Sequence, residues 1–110
     1  MKTSSKPSAL EQQARCEALY EAIASLKSPA ECRAFLEDLC TPAELEAMCD
    51  RWLVVGWLQR GIPYREIHQH TGVSVTTIAR VARYLAAGNG GYSLALKRQT
   101  RRAKRTQLVD

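Results

Sequence analysis

"IPYREIHQHTGVSVTTIARVARYL", residues 62–85, places two short helical patterns on either side of a glycine. Tyr64 to His70 form a polar segment that runs into Thr71-Gly72-Val73. A second segment opens on Ser74 and carries Thr76, Thr77, Arg80 and Arg83. A tight turn between helices needs a residue that tolerates positive φ, and Gly72 supplies it. Helices crossing steeply also need apolar contacts on both sides of the turn. Ile67, Val73, Ile78 and Val81 fall at those places, with Thr71 as the fifth inward residue. Ser74 is placed to cap the second helix. Its first turn then offers Val75, Thr76 and Thr77, short side chains that fit close to base edges, while Arg80 can grip phosphate or guanine. The spacing predicts a helix-turn-helix unit over 64–83 with a recognition helix at about 74–87, rather than two surface helices that touch nothing.

The charge distribution agrees. The net charge is +5, but residues 1–50 carry five Lys/Arg against nine Asp/Glu. Residues 51–87 carry Arg51, Arg60, Arg65, Arg80 and Arg83 against Glu66 alone. Residues 88–110 carry Lys97, Arg98, Arg101, Arg102, Lys104 and Arg105 against Asp110. Positive charge begins where the two short helices begin, as expected if one part of the chain packs and another meets phosphate.

Upstream, helix starts recur. Ser8-x-x-Glu11, Ser28-Pro29-x-Glu31 and Thr41-Pro42-x-Glu44 each pair a capping hydroxyl with a glutamate three residues on. Helices are predicted at roughly 8–26, 29–39 and 42–60, the last closed by Gly61. The first shows a stripe of Leu10, Ala14, Ala18, Leu19, Ala22, Ile23 and Leu26. The second is expected to bury Cys32, Phe35, Leu36 and Leu39. The third is apolar around much of its circumference, from Leu45 through Trp52 and Trp57 to Leu58, and such a helix needs partners on several sides. So short a chain has few elements to provide them, which points to a second subunit. Trp52 and Trp57 are read as core or interface aromatics rather than stacking platforms. No strand pattern appears, so the fold class is all-α. The expected organisation is one structural domain with a dimerisation core at 1–60, a helix-turn-helix unit at 61–88, and a solvated, flexible basic tail at 89–110.

The composition also limits the function. No apolar run reaches the roughly 20 residues needed to span a bilayer, and the first residues lack the apolar core of a signal peptide, so a cytoplasmic protein without a membrane partner is expected. Cys16, Cys32, Cys40 and Cys49 form no C-x-x-C pair, while His68 and His70 are two apart and diverge on a helix. The cysteines are read as small buried hydrophobes, with neither metal nor cofactor expected. Nor is there a paired-carboxylate cleft, a Cys–His–carboxylate order or a phosphate-cradling glycine loop, so no enzyme is expected.

"TPAELEAMCDRWLVVGWLQRGIPYREIHQHTGVSVTTIARVARYLAAG", residues 41–88, resembles the core of the Trp repressor superfamily, and within it the YerC/YecD branch. The elements that carry the resemblance are Thr41-Pro42-x-Glu44-x-Glu46-Ala47, Arg51, Leu58-x-Arg60-Gly61, Arg65-Glu66-Ile67, Gly72 and Thr77-Ile78-x-Arg80. The resemblance implies an intertwined helical homodimer whose two heads read successive major grooves of double-stranded DNA. It implies DNA contacts at Arg65, His68, Val75, Thr76 and Thr77, which with Ser74, Arg80 and Arg83 from the residue pattern make the expected DNA-binding set. Arg65 matches an arginine that approaches bases, and His68 matches a lysine that faces the backbone. His68 is also bulkier than the small residue usual at the helix crossing, which implies a wider crossing or a side chain that snorkels outward. Thr41, Arg51, Arg80, Val81 and Tyr84 match positions around the tryptophan pocket. Val81 stands where a glycine leaves room for the indole and Tyr84 where a serine lies near the ligand amino group. Free tryptophan is therefore not expected as corepressor, since overpacking a snug pocket costs roughly 1–3 kcal/mol. Arg51 has an alternative role in a salt bridge to Asp50 or Glu46.

The leading expectation is a dimeric, sequence-specific DNA-binding transcriptional regulator, a repressor, reading a palindromic site. The alternative is an RNA-binding or protein-interaction module using the same helix pair and basic tail. The tail itself either keeps the protein soluble or adds phosphate contacts. A thiol-based input through Cys32, Cys40 or Cys49 remains open, as does the identity of any small-molecule effector.

Overall fold

The computed structural model describes residues 5–109, and all the regular structure in it is helical. In chain order the helices are α1 (Ala9–Ala24), α2 (Pro29–Leu39), α3 (Pro42–Gln59), α4 (Tyr64–Thr71), α5 (Val75–Ala87) and α6 (Gly91–Val109). The expected all-α class and the first five helices therefore stand, each within two residues of the bounds read from sequence.

The capping chemistry explains where helices begin. Ser8 Oγ accepts from the Glu11 N–H at 3.1 Å, and the Glu11 carboxylate accepts from the Ser8 N–H at 2.7 Å, closing a reciprocal box at the start of α1. Ser28 Oγ likewise accepts from the Glu31 N–H at 3.1 Å, but the Glu31 carboxylate reaches one residue further back, to the Lys27 N–H at 2.8 Å. After α3, Gly61 takes φ of +76° and its N–H bonds the Leu58 carbonyl at 2.9 Å, stopping the helix as expected.

Packing divides the chain into two compact units, one through Pro42 and one from Ala43 onward. The reason lies in α3, whose buried residues belong with the helix-turn-helix. Val54, Val55, Ile67, Ile78 and Val81 are fully buried and Val73 nearly so, forming one cluster with Trp52, Trp57, Leu58, Ile62, Leu85, Tyr92 and Leu96 against it. Burying each such aliphatic side chain contributes about 1.5–3 kcal/mol.

The N-terminal unit is different. Neither α1 nor α2 has a buried residue. Leu10 is 77% exposed, Tyr20 56% and Leu39 53%, and of the side chains expected to be buried on α2, Cys32, Phe35 and Leu36 are only half-buried. The cysteines are not core either, since Cys16, Cys32 and Cys40 are half-buried and Cys49 is exposed. These helices have the apolar stripe but too little chain of their own to cover it.

The segment expected to be a flexible tail is a helix. Tyr92 and Leu96 anchor the start of α6 on the cluster, and the rest continues as helix to Val109. Charge alone hid this, because Lys and Arg are good helix formers once an anchored first turn removes the nucleation cost. Among the described residues no helix is long and apolar enough to cross a membrane.

Candidate nucleic-acid interface

The turn between α4 and α5 is built from its own side chains. Gly72 takes φ of +76° and its N–H bonds the His68 carbonyl at 2.9 Å, ending α4. Nothing lies within 4 Å of a Cβ built on Gly72, so glycine is required here by backbone conformation and not by space. Thr71 Oγ1 donates to the Ile67 carbonyl at 2.7 Å and accepts from the Val73 N–H at 3.1 Å, so one hydroxyl ties the last turn of α4 across Gly72. Thr71 is thus a half-buried hydrogen-bonding hub at the inward place where it was expected.

His68 resolves the crowding anticipated at the crossing. Its side chain is exposed, and Nδ1 lies 2.7 Å from the Val73 carbonyl. A carbonyl only accepts, so Nδ1 carries the proton and Nε2 is the ring atom left for a ligand. Between the expected alternatives, the side chain snorkels outward and fastens the turn as it goes. Sequence spacing gives no direct sign of this bond.

α5 begins on a locked cap. Ser74 Oγ accepts from the Thr77 N–H at 3.1 Å and donates to Thr77 Oγ1 at 3.0 Å. Two of the expected DNA-binding residues are therefore paired with each other and hold the helix start, while Thr77 is half-buried. Val75 is 48% exposed and Thr76 is exposed beside it. No acidic residue lies in the first turn of α5, so its positive dipole end is left for an anion.

Three arginines lie exposed on the two helices. Arg65 on α4 is exposed, as are Arg80 and Arg83 on α5. The Arg80 guanidinium lies 4.9 Å from the Tyr84 ring centre and that of Arg83 lies 5.8 Å from it. One aromatic ring therefore steadies both cations through cation–π attraction. The positioning role of Tyr84 was missed in the sequence, although its place four residues after Arg80 puts the two on one helix face.

The residues matched to a ligand pocket differ in burial. Val81 is fully buried in the cluster and Tyr84 is 43% exposed beneath its arginines. Arg51 is half-buried on α3, whereas Thr41 belongs to the N-terminal unit. Behind the interface, Trp57 stacks on His70 with centroids 5.4 Å apart and planes at 22°, and the Arg60 guanidinium lies 4.9 Å from the Trp57 ring. Trp52 meets Tyr92 at 6.4 Å, so both tryptophans tie α3 to other helices of the same unit.

A locked turn, a capped helix with a small-residue first turn and exposed arginines on both helices define a helix-turn-helix protein. The Trp repressor protein family profile matches residues 14–100. YerC of Bacillus subtilis strain 168, a protein of uncharacterised function, is 42% identical over 80 residues, covering 73% of this chain and 77% of that protein. A TrpR-like protein from Eubacterium eligens ATCC 27750 superposes with a TM-score of 0.75 at 40% identity, over 83% of this chain and 93% of that one. A candidate Trp repressor from Staphylococcus aureus gives a TM-score of 0.75 at 34% identity, over 86% and 96% of the two chains. The chain belongs to the Trp repressor family, and its fold is the all-α fold of that family. That membership points to a DNA-binding regulator rather than an enzyme.

Proposed function

We propose that the protein is a homodimeric, sequence-specific transcriptional regulator, a repressor, whose α5 enters the major groove of a palindromic DNA site. The observation that carries this reading is the first turn of α5, where Val75 and Thr76 stand exposed on a helix fixed by Ser74 and Thr77. Val75 suits contact with a thymine methyl, and Thr76 suits hydrogen bonding or methyl contact with a base edge. Arg65, Arg80 and Arg83 take guanine or phosphate, His68 donates to a backbone phosphate through Nε2 when both ring nitrogens carry a proton, and Ser74 and Thr77 act chiefly by positioning the turn.

The dimer is supported by the exposed apolar residues of α1 and α2, together with Met48 and Leu53 of α3, which are 38% and 48% exposed. A second copy of the same chain is the partner that would cover them in an isologous contact. Two heads then address half-sites about 34–36 Å apart, one turn of B-DNA, a geometry for which the Trp repressor is itself an example.

Free tryptophan is not the corepressor in this reading. Support comes from Val81, fully buried at the position matched to the family's glycine, and from Arg80, which lies over the Tyr84 ring. Titration calorimetry should show no saturable tryptophan binding, and a micromolar dissociation constant would overturn this part. The DNA reading is tested by selection from a random duplex pool with the purified full chain. Enrichment of a twofold-symmetric sequence supports it, whereas preference for structured RNA over duplex DNA at two salt concentrations favours the RNA-binding alternative.

A further inference from the structure

We infer that the basic half of α6 is a second DNA contact, gripping phosphates beyond the bases read by α5; this rests on the helix-turn-helix reading above. The first half of α6 is anchored, with Tyr92 and Leu96 against the buried cluster and the Tyr92 ring 6.4 Å from that of Trp52. α6 also packs on α5, so it is fixed to the unit that holds the recognition helix.

The helical period then sorts the rest. At 3.6 residues per turn, Tyr92, Leu96 and Ala103 fall within an arc of about 40°. Lys97, Arg98, Arg101, Arg102, Lys104 and Arg105 fall within an arc of about 160° centred directly opposite. All six are exposed. They occupy about 12 Å of helix, while duplex DNA presents a phosphate charge every 1.7 Å or so of its axis. Several phosphates thus lie within reach of one such face.

No acidic residue occurs between Glu66 and Asp110, so neither α5 nor α6 supplies carboxylates along this face. Lys97 and Arg101, Arg98 and Arg102, and Arg101 and Arg105 are like charges four apart, a spacing that disfavours the helix in isolation. A face kept only for solubility would be relieved by interleaved acids, and this one has none. A small anion is a poorer fit. Only Lys97, Arg101 and Lys104 line the groove of about 510 Å³ shared with Gln59 of α3, whereas an extended polyanion engages the whole arc.

The test measures affinity of the full chain for a random-sequence DNA duplex across a salt series, and repeats the pool selection. In one variant all six cations become Gln; in a second, Arg98, Arg101, Arg102 and Arg105 become Lys. Each cation on phosphate steepens the log affinity–log salt slope by about 0.9, so the Gln variant should lose about two or more units of slope and at least about tenfold in affinity at physiological salt. The selected sequence should not change. The Lys variant should stay within about threefold, because phosphate needs charge more than shape. An unchanged slope with affinity within about twofold, at unaltered far-ultraviolet circular dichroism, would overturn the inference. So would a shifted sequence preference, or loss of affinity in the Lys variant with its circular dichroism intact. If the unaltered protein selects no sequence yet binds duplex with a slope that α6 controls, the regulator reading fails while this contact stands.

Discussion

Gly72, His68 and Tyr84 set the interface residue by residue. Gly72→Ala should destabilise the fold by about 1–2 kcal/mol in urea titration, because an L side chain disfavours φ of +76°; an unchanged midpoint would show that the turn adopts another conformation. His68→Ala removes the bond to the Val73 carbonyl and should cost about 1 kcal/mol by the same measurement. Tyr84→Ala should free Arg80 and Arg83 and weaken DNA binding several-fold, roughly the cost of reordering one or two side chains. Tyr84→Phe should leave binding unchanged, since the ring and not the hydroxyl faces the guanidinium groups; weakening in the Phe variant would assign the role to the hydroxyl.

At the scale of elements, α5 joins a cap to a reading head. Ser74→Asp tests whether these roles separate. Aspartate caps helices about as well as serine, so stability should hold within about 0.5 kcal/mol, yet the added negative charge should repel phosphate and sharply reduce DNA affinity. Retained affinity in that variant would place the first turn of α5 away from DNA. The helices were legible in the sequence because their signals are local: a capping hydroxyl with a glutamate three residues on, a proline at the first position, a glycine after the last. Gly72 and the inward set of Ile67, Val73, Ile78 and Val81 were legible for the same reason. α6 was not, because its anchor is only Tyr92 and Leu96, and a run of like charges reads as solvated chain when its packed start is unseen. The roles of His68 and Tyr84 were hidden because a bond to a carbonyl across a turn, or a ring beneath two arginines, depends on side-chain direction rather than residue type. The burial expected of α2 did not appear because an apolar stripe records the need for a partner and not whether the same chain supplies one.

The whole molecule has a tightly packed helix-turn-helix unit and N-terminal helices without a fully buried residue. If a second copy covers those helices, replacing Ile23 and Leu39 with Lys should shift the protein to monomer in sedimentation while the cluster around Val54 and Ile78 stays folded. Monomer and dimer should differ greatly in affinity for a two-half-site duplex, since the second head binds at high effective concentration once the first is seated. A dimer unaffected by both changes would move the interface elsewhere. The most direct test of the central claim is sequencing of the duplexes that the purified full chain enriches from a random pool. The expected result is a twofold-symmetric sequence whose half-sites are centred about one helical turn, 10–10.5 base pairs, apart. Enrichment of no sequence, or of one without twofold symmetry, would contradict a dimer that reads DNA through paired α5 helices.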